Sequence, residues 1–81
     1  MKQYPSLKEA IAKENYKIEL IYDNGEKRVY DFRADLEHPF YQNLRDVELF
    51  LKLSVVQGEI MWESGQDFCP HTLYEKSMEI K

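Results

Sequence analysis

The stretch from Tyr16 to Phe32 leaves few choices of fold. Residues 16–22 read Tyr, Lys, Ile, Glu, Leu, Ile, Tyr, and they alternate as a half-buried strand does. Asp23, Asn24 and Gly25 supply turn chemistry, and residues 26–32 return as a second strand. Loop length decides which side chains share a face, because a slip of one residue moves every side chain to the other side. A two-residue loop would set Ile18 against Asp31 and Lys17 against Phe32. A three-residue loop, with Gly25 left-handed, sets Tyr16 against Phe32, Ile18 against Tyr30 and Lys17 against Asp31. The second register gives one apolar face and one charged face, and is the one expected.

A second hairpin follows the same logic. Residues 51–56 lead through Gln57 and Gly58 into residues 59–63. A two-residue turn pairs Val55 with Ile60, Leu53 with Trp62 and Lys52 with Glu63. Leu51, Leu53, Val55, Ile60 and Trp62 then share a face, each cross-strand pair contributing about 0.2–1 kcal/mol. Between the hairpins, Pro39 opens a short helical turn carrying Phe40, Tyr41 and Leu44. Asp46 caps another turn with Leu49 and Phe50. Residues 64–67 form a turn, and Pro70 opens a last helix with Leu73 and Tyr74, Met78 lying beyond. Residues 7–14 are ambiguous. Leu7, Ala10 and Ile11 have helical spacing and propensity favours helix, whereas Glu14 and Asn15 suit a turn between strands.

No linker, repeat or low-complexity stretch divides the chain. The 81 residues form a single domain, with residues 1–6 expected to be loosely ordered. The fold class expected is α+β: a small antiparallel meander of two hairpins, with an N-terminal strand as an open alternative, packed with short helices. Aromatic residues at 14% supply volume for a small core. Cys69 is the one cysteine, which excludes an internal disulfide and suits a reducing, cytoplasmic setting. Met1 to Ser6 carry no apolar signal core, and no apolar run is long enough to span a bilayer. The net charge is −4 without a basic cluster, so direct nucleic-acid binding by this chain alone is not expected.

A longer pattern runs through the sequence: Asn24, Gly25 and Glu26; Asp31 and Phe32; Leu44 and Asp46; Phe50; Trp62; Gly65 and Asp67; Pro70; Leu73 and Tyr74. It resembles the small bacterial domain of unknown function 2442, over about Leu7 to Lys76. The ending from Trp62 to Tyr74 is its most specific part. The resemblance implies an α+β fold with a meandering antiparallel sheet, and a strand rather than a helix for Leu7 to Lys13. It implies no established activity. Some relatives carry a helix-turn-helix domain after this module, which implies a transcription-regulatory or toxin–antitoxin setting. No such segment is visible in these 81 residues. Some relatives bear a molybdopterin-nucleotide biosynthesis label, but three glycines offer no phosphate loop.

The residues with chemical potential are Trp62, Asp67, Cys69, His71 and Tyr74. Cys69 precedes the last helix, where unpaired N–H groups favour thiolate; a small buried hydrophobe is the commoner fate of free cysteine. His38, Asp67, Cys69 and His71 can bind metal, but their spacing matches no familiar zinc pattern. Cys69 and His71 diverge by roughly 200° across a helical turn and are not expected to meet. Asp67 is more readily a turn-former than a catalytic acid. Trp62 and Tyr74 could make an aromatic platform, yet Trp62 sits on the apolar hairpin face and is expected in the core. Tyr30 and Tyr41 are expected half-buried. Glu26, Lys27 and Arg28 read as a solvated face, and Asp31, Asp35 and Glu37 as a weak cation candidate. No metal site and no cofactor are expected.

With no convergent nucleophile and base legible, the reading is a non-enzymatic protein-interaction module that binds a protein partner or itself. The alternative is a small-ligand-binding or catalytic protein with a pocket near Trp62, Asp67 and Cys69, where the second hairpin meets the last helix.

Overall fold

The computed structural model describes residues 4–80. In chain order these form β1 (Leu7–Ala12), β2 (Lys17–Tyr22), β3 (Lys27–Asp31), α1 (Val47–Phe50), β4 (Ser54–Val56), β5 (Glu59–Met61), α2 (Pro70–Lys76) and β6 (Met78–Glu79). Two 3-10 segments, Arg33–Glu37 and Pro39–Arg45, link β3 to α1. The strands make an antiparallel four-stranded sheet, ordered β1-β2-β3-β6, and a separate β4–β5 ribbon. This is the expected α+β class. Of the segment expected to be loosely ordered, residues 1–3 lie outside the described residues, while Ser6 exchanges hydrogen bonds with Asp23.

The first hairpin adopts the three-residue loop. Lys17 faces Asp31, Ile18 faces Tyr30, and the Phe32 N–H donates to the Tyr16 carbonyl. The same loop occurs at three places. Lys13 closes on Lys17, Tyr22 on Glu26 and Trp62 on Gln66, each with an N–H to carbonyl bond. The last loop residue is left-handed each time: Tyr16 (φ 65), Gly25 (φ 91) and Gly65 (φ 97). Tyr16 thus stands where the other two loops use glycine. Its ring packs 5.0 Å from that of Phe50, and its hydroxyl donates to the Arg45 carbonyl.

Residues 7–12 are strand, not helix, and the reason is a bulge. The register shifts between Leu7 and Glu9. That extra residue puts Leu7, Ala10 and Ala12 on the core side, opposite Tyr22, Leu20 and Ile18. A three-residue spacing that mimics a helix is thereby accommodated by β structure, and Ile11 is left on the outer face, exposed.

The second hairpin is shorter than its alternation suggested. Val55 does face Ile60, but β4 begins only at Ser54. Leu51 is an exposed residue ending α1, not a strand residue on the apolar face. The Asp46 carboxylate accepts from the Glu48 N–H and starts that helical turn, which carries the chain through Leu51 before a strand can form. The ladder therefore stops at Ser54 and Met61, one pair short of Leu53 and Trp62, and the Trp62 N–H bonds the Gln66 carbonyl across the third loop. Lys52 and Glu63 still approach within 4.0 Å.

Phe32 is the centre of the core. Fully buried, it contacts the rings of Tyr30, Tyr41, Phe50, Trp62 and Phe68 at centroid distances of 5.2–6.2 Å. Ile18, Leu20, Ile60 and Leu73 complete it, all without exposure. Tyr30 is buried rather than half-buried, and its hydroxyl donates to Asp35. The buried Gln66 amide donates to the Phe40 carbonyl at 2.9 Å, tying the second 3-10 segment to the third loop.

Candidate functional site

The hairpin register that buries Ile18 and Leu20 also points Arg28 inward, opposite Leu20. Arg28 is consequently half-buried, not part of a solvated face. Its Nη1 donates to Glu26 at 2.9 Å, its Nε to Ser77 Oγ at 2.6 Å and its Nη2 to the Ser77 carbonyl at 3.0 Å. Its guanidinium lies 4.3 Å from the centroid of the Tyr74 ring. The Tyr74 hydroxyl donates to both Glu26 oxygens, at 2.9 and 3.0 Å. These bonds clamp α2 and the turn into β6 onto the first hairpin. Asn24 and Tyr74, followed by Arg28, hold the Glu26 carboxyl below its ordinary range. Its partner Tyr74 is pushed up, chiefly by that same hydrogen bond.

The sequence candidates fall into separate surroundings. Trp62 is 3% exposed; its ring stacks on Phe50 and its Nε1 donates to the Phe50 carbonyl at 2.9 Å. Tyr74 instead meets Tyr22 edge-on at 5.2 Å, so the two rings form no common platform. Asp67 acts through its backbone: it bridges Met61, and its carbonyl accepts from the Tyr41 hydroxyl at 2.8 Å. Cys69 is exposed and makes no capping hydrogen bond of ordinary geometry. The adjacent Thr72 amide and hydroxyl nonetheless hold its thiol below the usual range. His71 stacks on Tyr4 at 5.3 Å, and its Nε2 lies 2.8 Å from Glu75 without hydrogen-bond alignment. The structure thus joins His71 and Tyr74 through Tyr4, and leaves Trp62 and Asp67 elsewhere.

Among the described residues no three His, Cys, Asp or Glu side chains converge as metal ligands. The acidic trio is divided: Asp31 pairs with Arg33 at 2.7 Å, Asp35 accepts from Tyr30, and Glu37 lies 3.7 Å from Arg45. The His38 Nδ1 accepts from the Phe40 N–H at 3.2 Å. No helix among the described residues is long and apolar enough to cross a membrane.

The outer face of the four-stranded sheet is different in kind. Register lines up Ile11, Glu19, Val29 and Met78 across it, and beside them Glu9, Ile21, Lys27 and Ile80. Ile11, Met78 and Ile80 are exposed, Met78 at 71%. Sequence reasoning missed this face because β6 is two residues long. Arg28 was legible in principle, since the chosen register already placed it on the core side.

A family model described as "Protein of unknown function (DUF2442)" matches residues 7–79. No curated protein and no solved structure matches the chain. With a match spanning nearly the whole sequence, from β1 to β6, the chain belongs to the DUF2442 family.

Proposed function

We propose that this chain is a non-enzymatic protein-interaction module whose binding surface is the outer face of the four-stranded sheet, and that the partner is a second copy. The observation carrying this is that Ile11, Ile21, Val29, Met78 and Ile80 share this face across all four strands, Ile11, Met78 and Ile80 exposed and Ile21 and Val29 half-buried. Exposed apolar side chains gathered on one face mark interaction sites. Glu19 and Lys27 lie diagonally within the band. Rotated by half a turn, the same face offers opposite charges to itself, as a two-fold interface requires. In a transcription-regulatory or toxin–antitoxin setting, an acidic dimer of this kind contributes protein contacts and leaves DNA to other proteins.

Light scattering over a concentration range tests the reading. The chain as it stands should move from monomer to dimer mass as concentration rises, and Met78→Lys or Ile11→Lys should remain monomeric with unchanged circular dichroism. A parent chain that stays monomeric at millimolar concentration refutes it.

A further inference from the structure

At one end of the four-stranded sheet the outer face carries charge. Lys17 on β2 faces Asp31 on β3, on the side away from the core. β6 begins only at Met78, opposite Val29, so the edge of β3 beside Asp31 has no strand against it. Along a strand, successive N–H groups point to alternate edges. The Phe32 N–H bonds Tyr16 on the β2 side, so the Asp31 N–H points to the open edge, and among the described residues it has no hydrogen-bond partner. A pocket of about 180 Å³ lies there, lined by Lys17, Val29, Asp31, Lys76 and Met78. Arg33 grips both Asp31 oxygens, with Nε at 3.0 and 3.2 Å and Nη2 at 2.7 Å. Arg33 foremost, with a lesser pull from Lys17, holds the Asp31 carboxyl below its ordinary range. Among the described residues neither the Lys17 nor the Lys76 ammonium makes an ion pair or hydrogen bond, although Lys17 is half-buried.

We infer that this pocket binds a short aliphatic carboxylate, whose oxygens accept from the Lys17 and Lys76 ammoniums and the Asp31 N–H while its carbons lie on Val29 and Met78. The two lysines approach from opposite sides of β3 and line one pocket. Neighbouring strands lie about 4.8 Å apart, so their stems reach a single carboxylate. Charge and size narrow the class. Arg33 answers the charge of Asp31, so the two lysines leave the pocket positive in a chain of net charge −4. Drug-sized ligands fill about 300–1,000 Å³, so the occupant is smaller. β6 fills the β3 edge along residues 27–29, which leaves room for a terminal group and none for an added strand. An anion without an apolar body would leave Val29 and Met78 uncovered. The site is complete in one chain and does not rest on the dimer reading. Val29 and Met78 belong to both surfaces, so a bound carboxylate competes with a second copy.

Butyrate is the probe, with butyramide as its uncharged counterpart, read by chemical shifts of the labelled full chain at fixed protein concentration. Millimolar butyrate should shift the Asp31 amide and the Lys17 and Lys76 ε-methylenes along a saturating curve, while butyramide should not. Lys17→Gln and Lys76→Gln should each weaken butyrate about threefold, the scale of an exposed ion pair. Lys8→Gln, on β1 outside the pocket, should leave it unchanged. A protein dilution series without butyrate, followed at the Ile11 methyl, reports pairing of copies, so the two readings fail separately. Three results overturn the inference: no saturable shift at Asp31 with butyrate, butyramide binding as tightly as butyrate, or Lys8→Gln weakening butyrate as much as Lys17→Gln.

Discussion

Tyr16 occupies a backbone position that the two sister loops give to glycine, and removing its side chain separates strain from anchoring. A left-handed non-glycine residue costs roughly 1–2 kcal/mol, which Tyr16→Gly would recover. Against this stand three losses. Half burying a ring that offers 150–250 Å² removes roughly 100 Å² from water, worth about 2.5 kcal/mol. The tilted contact with Phe50 adds about 1 kcal/mol, and the bond from the Tyr16 hydroxyl to the Arg45 carbonyl about 1 kcal/mol. The sum is a net destabilisation of about 3 kcal/mol, a large share of the roughly 4–12 kcal/mol expected for a domain this size. Tyr16→Phe isolates the hydroxyl and should cost about 1 kcal/mol. Gly25→Ala is the control for strain alone: at φ 91 an added Cβ meets nothing within 4 Å, so about 1 kcal/mol of backbone cost is all that remains. Urea unfolding measures all three, as midpoint shifts at constant slope. A Tyr16→Gly variant as stable as the parent would refute the argument that the ring anchors this loop to α1.

Four further outcomes are expected. Tyr22→Phe should stabilise the chain by about 1 kcal/mol in urea, since it deletes an unpartnered buried hydroxyl. Gln66→Ala should cost about 2 kcal/mol by the same assay, because the part-buried bonds of its amide to the Phe40 carbonyl, Asn43 and Ser64 are lost together. Gln57 is left-handed in the two-residue turn, a conformation Asn tolerates better, so Gln57→Asn should raise the urea midpoint modestly. Glu26 has a folded pKa below its ordinary value of 4.5. Its contribution is therefore complete above that pH and lost as pH falls through the folded value, so Glu26→Gln should flatten the acid limb of a stability–pH profile measured from pH 7 downward.

Much of the fold could be read from residues because alternation and turn chemistry act locally. The loop at Asp23–Gly25 followed from asking which register separates Ile18 and Tyr30 from Lys17 and Asp31, and that register is the observed one. Leu7, Ala10 and Ile11 left helix and strand open because a bulged strand and a helix both tolerate a spacing of three; only pairing with β2, a tertiary event, decides between them. Leu51 misled for the opposite reason, since the local cap at Asp46 outweighed an alternation that had no partner strand beyond Ser54. β6 carries too few residues to show a period. A cleft lined by Pro5, Tyr22, Gly58 and Pro70 draws on segments far apart in the chain, so no spacing rule reaches it. Candidates chosen for reactive atoms, such as Trp62 and Asp67, proved to hold the core and the third loop together.

Methyl-labelled spectra recorded on dilution give the most direct test, because they report both faces of the sheet at once. If strand register sends Ile18 and Leu20 inward and leaves Ile11, Ile21, Val29 and Met78 as the contact surface, the outer methyls should shift between millimolar and low-micromolar protein while the inner two stay still. Concentration-independent outer methyls, or movement centred on Ile18 and Leu20, would contradict it.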